Sequence, residues 1–79
     1  MNNDEARPKK IVAAMIGPMP TGMSDPMPTV TVTFEDGEIK ELFSYYPDEI
    51  SFAESEFIGL TEHEARELKY KKDLAYLRS

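Results

Sequence analysis

The residues predict an α+β domain, a small antiparallel sheet or partly open β-barrel with one C-terminal helix. Three observations carry that reading. Thr29-Val30-Thr31-Val32-Thr33-Phe34 alternates polar and apolar residues, the two-residue period of a strand with one buried face. Asp36-Gly37 follows after Glu35, and both residue types tolerate the positive φ of a tight hairpin. Thr61-Glu62-His63-Glu64 has the spacing of a capping box ahead of a stretch rich in helix formers.

Taken in order, residues 1–8 offer nothing to bury and end on Pro8, so they are expected to be a flexible tail before a single domain at 9–79. A first strand is expected at 9–16, where six consecutive apolar residues suggest burial on both faces or cover by another element. The stretch 17–28 contains four prolines and two glycines, which exclude a continuous helix or a paired central strand. It must be a loop, and its length hints at a role beyond connection. A disordered link and an arm touching a partner or the core both remain open. Met15, Met19, Met23 and Met27 recur every four residues, but that period has no helical meaning across prolines, and a thioether copper site has no other support.

The second strand is expected at 29–35 and the return strand at 38–46. Ile39, Glu41 and Phe43 share one face of that strand while Leu42 falls on the other; a bulge near Glu41 or Leu42 would restore the pattern, and burial of both faces would also explain it. Pro47-Asp48-Glu49 reads as a turn, and Ile50-Ser51-Phe52 alternates as a further short strand at 50–53. Residues 53–58 fit either a strand or a single helical turn, ended by Gly59. The helix should run from the Thr61 cap to about Leu77 and cover the sheet, with Lys69, Lys71, Lys72 and Arg78 suiting its C-terminal half. Its apolar residues form two groups. Tyr70, Leu74 and Leu77 lie together, and Ala65, Leu68, Ala75 and Tyr76 spread around the other side. One sheet cannot cover both, so Tyr70, Leu74 and Leu77 are candidate oligomer contacts. Wrapping by loop 17–28, or a terminal strand at 73–77, would also account for the second face.

Charge is polarised along the chain. Residues 1–34 balance to zero, residues 35–64 carry ten acids against Lys40 alone, and residues 65–79 carry five bases against two acids. An acidic middle repels nucleic acid, so direct binding through Arg66, Lys69, Lys71, Lys72 and Arg78 is disfavoured. The chain lacks cysteine and has one histidine, which removes disulfides and thiolate or histidine zinc sites as sources of stability for so small a core. Oligomerisation or partner binding is the remaining external source. The apolar run at 11–16 is too short for a signal core or a membrane span, and a cytoplasmic location is expected.

No catalytic constellation stands out. His63, flanked by two glutamates in the first helical turn, reads as a surface residue. The pairs Glu35 and Asp36, Asp48 and Glu49, and Glu54 and Glu56 read as turn or surface charge, and they lack the ligand spacing of a calcium loop. No cofactor or metal is expected. Tyr45 and Tyr46 are adjacent on a strand, so one should be core and the other exposed. Together with Asp48, Glu49 and Glu54 they form the candidate binding surface, because tyrosine combines apolar area with a hydroxyl. The expected function is therefore non-enzymatic: a small inhibitor or adaptor that engages a basic protein partner through this acidic and aromatic surface. The alternatives are a self-assembling structural subunit of a viral or mobile-element complex, as a homodimer or higher homo-oligomer, and a small-ligand binder with a pocket at a subunit interface.

Overall fold

The computed structural model describes residues 8–22 and 24–79; the expected tail at 1–8, apart from Pro8, and the Met23 position lie outside them. Three strands, β1 (Ile11–Ile16), β2 (Thr29–Phe34) and β3 (Ile39–Ser44), form one open antiparallel sheet in the order β1-β2-β3. A 3₁₀ turn (Glu54–Phe57) and one helix, α1 (Glu62–Arg78), complete an α+β fold. The sheet does not close into a barrel.

In β2 the alternation works as expected: Val30, Val32 and Phe34 are buried, while Thr29, Thr31 and Thr33 lie half-buried on the opposite face. Gly37 takes φ +93° in the hairpin, whose ends are joined by the Phe34 amide donating to the Glu38 carbonyl at 2.8 Å. Asp36 Oδ1 accepts from the Glu38 amide at 3.0 Å, and Lys9 Nζ bridges Asp36 and Glu38 across the turn.

The bulge expected in β3 falls at Leu42, since Val30 pairs with Phe43 and Thr31 with Glu41. The extra residue reverses the facing of the strand beyond it. Ile39 and Glu41 belong to the threonine face, whereas Leu42 and Tyr45 are buried and Phe43 is half-buried. Strand β1 carries a second bulge at Val12, and of the two expectations for its apolar run burial on both faces fails, while cover by another element holds through residues 54–60. Ile11, Ala14 and Ile16 stand opposite Phe34, Val32 and Val30, but Val12 and Met15 are exposed.

Residues 50–53 are not a strand. The amides of Glu49 and Ile50 both donate to the Tyr46 carbonyl, at 3.0 and 3.2 Å, and the 3₁₀ turn begins at Glu54, so the backbone between is too short to join a ladder. The alternation of Ile50 and Phe52 reflects side chains dropped into the core from irregular backbone. Phe52 meets Tyr45 edge-on at 4.9 Å between ring centres and approaches Phe43 and Phe57 at 5.4 Å each. This aromatic segment, rather than the helix, is the main cover of the sheet. Gly59, at φ +87°, then turns the chain so that its amide donates to the Ile11 carbonyl while the Ile11 amide donates to the Leu60 carbonyl, both at 2.8 Å.

The capping box forms as its spacing predicts: Thr61 Oγ1 accepts from the Glu64 amide at 3.2 Å, and Glu64 Oε1 from the Thr61 amide at 2.9 Å. Helix α1 is continuous to Arg78, which removes the terminal strand, and the hollows lined by the described residues of loop 17–28 hold Tyr46, Pro47 and Asp48 but no helix residue. Only Ala65 of the helix is buried, with Leu68 packed partly against the core. Beyond Leu68 the positions facing the body are Lys69 and Lys72. Their ammonium groups stand 5.9 Å from the Phe43 ring centre and 4.4 Å from that of Phe52.

Candidate protein-binding surface

Polar tethers hold the helix in place and thereby fix which side chains it leaves outside. Arg66 Nη1 donates to the Leu42 carbonyl at 2.8 Å, using the acceptor that the bulge turns outward, and its other nitrogens bind Glu62. Glu62 also accepts from Lys40 Nζ at 2.9 Å, and the Lys40 ammonium, then the Arg66 guanidinium, hold its carboxyl below the usual range. Nearly two turns before its end, the helix is fastened again: Lys72 Nζ donates to the Ser51 carbonyl at 2.6 Å and to Glu56 at 2.9 Å. That ammonium keeps the Glu56 carboxyl low. Lys69 pairs with Asp73 at 2.6 Å. Among the described residues, the last turn has no such fastening.

Strand β3 ends at Ser44 rather than at 46, and Tyr45 and Tyr46, just beyond it, separate into a buried and an exposed residue. Tyr45 is 2% exposed, its amide donating to the Pro28 carbonyl at 3.3 Å. Its hydroxyl has no hydrogen-bond partner among the described residues, and burial pushes the phenol above its ordinary range. It belongs to the core, so the aromatic part of the predicted binding set reduces to Tyr46, which is 63% exposed. Asp48 and Glu49 stay with Tyr46 on the turn that its carbonyl organises. Glu54 does not join them. It accepts from the Ile16 amide at 3.1 Å, at the opposite edge of the sheet from β3.

Tyr46 stands as a ridge between two depressions. On one side Pro20, Gly22, Met27, Pro47 and Asp48 complete an open hollow of about 350 Å³. Its loop wall is shaped by Asp25, whose carboxylate accepts from the Thr21 amide and hydroxyl and from the Gly22 amide at 2.7–3.1 Å. The Thr21 hydroxyl, with those amides, holds that carboxyl low. On the other side Tyr46 and Glu49 meet Lys69, Asp73, Tyr76 and Leu77 of the helix. The structure therefore joins residues from two separately predicted sets, Tyr46 and Glu49 from the binding set and Leu77 from the oligomer set, into one surface. Tyr70 and Leu77 of the oligomer set are 63% and 75% exposed, and Leu74 between them is half-buried.

Sequence reasoning leaves Tyr76, Met27 and Pro47 out of the site. Pro18-Met19-Pro20-Thr21 recurs as Pro26-Met27-Pro28-Thr29, a repeat that marks the two ends of the loop; the second copy lies at the root of β2, where Pro28 is buried. It also misses the cover given by Lys69 and Lys72, although their spacing of four and seven residues from Ala65 places all three on one helix face.

Chemically the surface offers phenols, aliphatic area and carboxylates at its border. His63 is exposed and 3.9 Å from Glu67, remote from any nucleophile pairing. Among the described residues no three histidine or carboxylate side chains gather as a metal site, and no helix is long and apolar enough to cross a membrane. Comparison with protein-family models, with curated proteins and with solved structures finds no match to this chain.

Proposed function

We propose that the protein is a non-enzymatic binding module, acting as an inhibitor or adaptor by stoichiometric contact with another protein. The observation that carries this reading is the exposed apolar surface of Tyr46, Tyr76 and Leu77, which meet where the last turn of the helix passes the turn after β3. Exposed apolar groups scattered singly are ordinary, but contiguous ones rich in tyrosine mark contact sites. Asp48 and Glu49 on the border suit a partner with basic residues around an apolar centre. Strand addition is less well supported. The edge of β1 is occupied at Ile11 by Gly59 and Leu60 and at Ile16 by Glu54, and the edge of β3 is interrupted by its bulge and by Arg66.

Native mass spectrometry of the protein gently purified from its source cells tests the reading. A distinct companion at fixed stoichiometry, lost on Leu77→Asp, is the expected result; companions unchanged by that substitution would refute it. The second reading is a structural subunit that associates with itself, favoured by the exposure of Tyr70 and Leu77 on the helix.

A further inference from the structure

Resting on the binding reading above, we infer that the partner presents to this surface a proline-rich segment in the polyproline II conformation, flanked by arginine or lysine. Three features of the surface select that occupant. The first is its division. Tyr46, 63% exposed, lines two open hollows of about 350 and 320 Å³, one against Pro20, Met27 and Pro47 and the other against Tyr76 and Leu77. Groups packed on either side of one ring at van der Waals distance stand about 7–8 Å apart. A polyproline II chain returns to the same edge every three residues, about 9 Å along its axis, so one turn straddles the ridge. An amphipathic helix needs a continuous trough for its apolar stripe, and Tyr46 interrupts this one.

The second feature is a shortage of main-chain partners. Pro20 and Pro47 have no amide hydrogen, the Gly22 amide donates to Asp25, and the Tyr46 carbonyl already accepts from Glu49 and Ile50. On the other side Lys69, Asp73 and Tyr76 have their amides inside α1. A β-strand laid here would leave its own main chain without partners. A polyproline II main chain stays solvated, and its rigid rings reach the tyrosines with little entropy left to lose.

The third feature is charge. Asp48 borders the first hollow, and Glu49, Lys69 and Asp73 border the second, three carboxylates against one ammonium. Lys69 is paired with Asp73 at 2.6 Å, whereas Asp48 and Glu49 have no ion-pair partner among the described residues. Each hollow therefore keeps one uncompensated carboxylate, and a cation at either end of the segment meets one of them.

A nitrogen-15 NMR titration of the full chain tests the inference, with a capped peptide of prolines carrying two arginines at each end as the probe. Saturable shifts are expected at the amides of Gly22, Asp48, Glu49, Tyr76 and Leu77. The same peptide with alanine in place of proline should bind at least tenfold more weakly. So should the proline peptide to Tyr46→Ala and to the Asp48→Lys, Glu49→Lys double variant, both with unchanged far-ultraviolet circular dichroism. No saturable shift at millimolar peptide, equal binding of the alanine peptide, or full affinity in the double variant overturns the proline-rich occupant. Shifts at these amides that follow protein concentration alone overturn it too, since the occupant is then a second copy of the chain. If the peptide fails while native mass spectrometry still finds a companion that Leu77→Asp releases, the binding surface stands and only its occupant is wrong. If the peptide fails and no companion is sensitive to Leu77→Asp, both readings fall.

Discussion

Replacing Lys72 by alanine should destabilise the protein far more than an exposed helical lysine would. Its ammonium stands 4.4 Å from the Phe52 ring centre, donates to the Ser51 carbonyl at 2.6 Å and pairs with Glu56 at 2.9 Å, while its stem covers the aromatic cluster. The cation and ring contribute about 0.5–1 kcal/mol at a partly exposed site. The charged hydrogen bond to the backbone adds about 1 kcal/mol, and the half-exposed ion pair about 0.5 kcal/mol after allowance for solvent. Together these predict a loss of about 2 kcal/mol, a large share of the roughly 4–12 kcal/mol expected for a domain of this length. Urea unfolding followed at 222 nm reads the difference directly, since the helical signal is strong and the chain has no tryptophan. Lys72→Met keeps the stem and should cost about half as much. Lys71→Ala, at an exposed position with no ion pair among the described residues, should stay within about 0.5 kcal/mol. If Lys72→Ala proves as mild as Lys71→Ala, the helix is not held by its lysines and the description of its docking is wrong.

Two further outcomes are expected. Tyr45→Phe should leave stability unchanged or raise it by about 1 kcal/mol, because it removes a buried hydroxyl that has no partner among the described residues; a loss above about 1 kcal/mol in the same urea experiment would reveal a hydrogen bond to that hydroxyl. Acid should weaken the fold through Glu56 and Glu62, whose carboxyls are held below their ordinary value of 4.5 by Lys72 and by Lys40 and Arg66. The unfolded chain binds more protons than the folded one once pH falls below that value, so this stability is present above about pH 4.5 and is lost as pH drops through the folded-state values. In a pH series of urea midpoints, the Glu56→Gln, Glu62→Gln double variant should show a flatter acid limb; a limb as steep as wild type would assign acid sensitivity elsewhere.

The parts of the fold readable in the sequence are those where one rule acts alone. In β2 nothing competes with alternation, and the cap at Thr61 is a local geometry that its own spacing completes. The bulge at Leu42 is readable as a broken alternation, and it decides that Tyr45 points inward and Tyr46 outward. Which of the two tyrosines is core depends on placing that extra residue. Residues 50–53 mislead because alternate burial does not require a ladder, and the sequence assigns the cover of the sheet to the helix because lysine reads as solvent-facing. Lys69 and Lys72 do reach water with their charges, but their stems and the rings beneath them occupy the place where an apolar stripe is expected. The binding surface is half legible for a related reason: helical spacing groups Tyr70, Leu74 and Leu77, but only tertiary folding carries Tyr46 and Glu49 alongside Tyr76 and Leu77.

The pairing of Ile11 with Gly59 and Leu60 has a consequence for the order in which the chain acquires its structure. The hairpin of β2 and β3 needs only neighbouring residues and can assemble as soon as both strands are free. The outer edge of β1 waits for the segment after the 3₁₀ turn, one of the most distant contacts along the sequence, and contacts of that separation are slow to close. During synthesis this apolar strand leaves the ribosome ahead of β2 and β3 and gains its edge cover after both. The growing chain therefore passes through an interval in which the six residues from Ile11 to Ile16 are open to any passing strand. A slower release of residues 59 and 60 would lengthen that interval and raise the fraction lost to aggregation, with no change in the finished molecule.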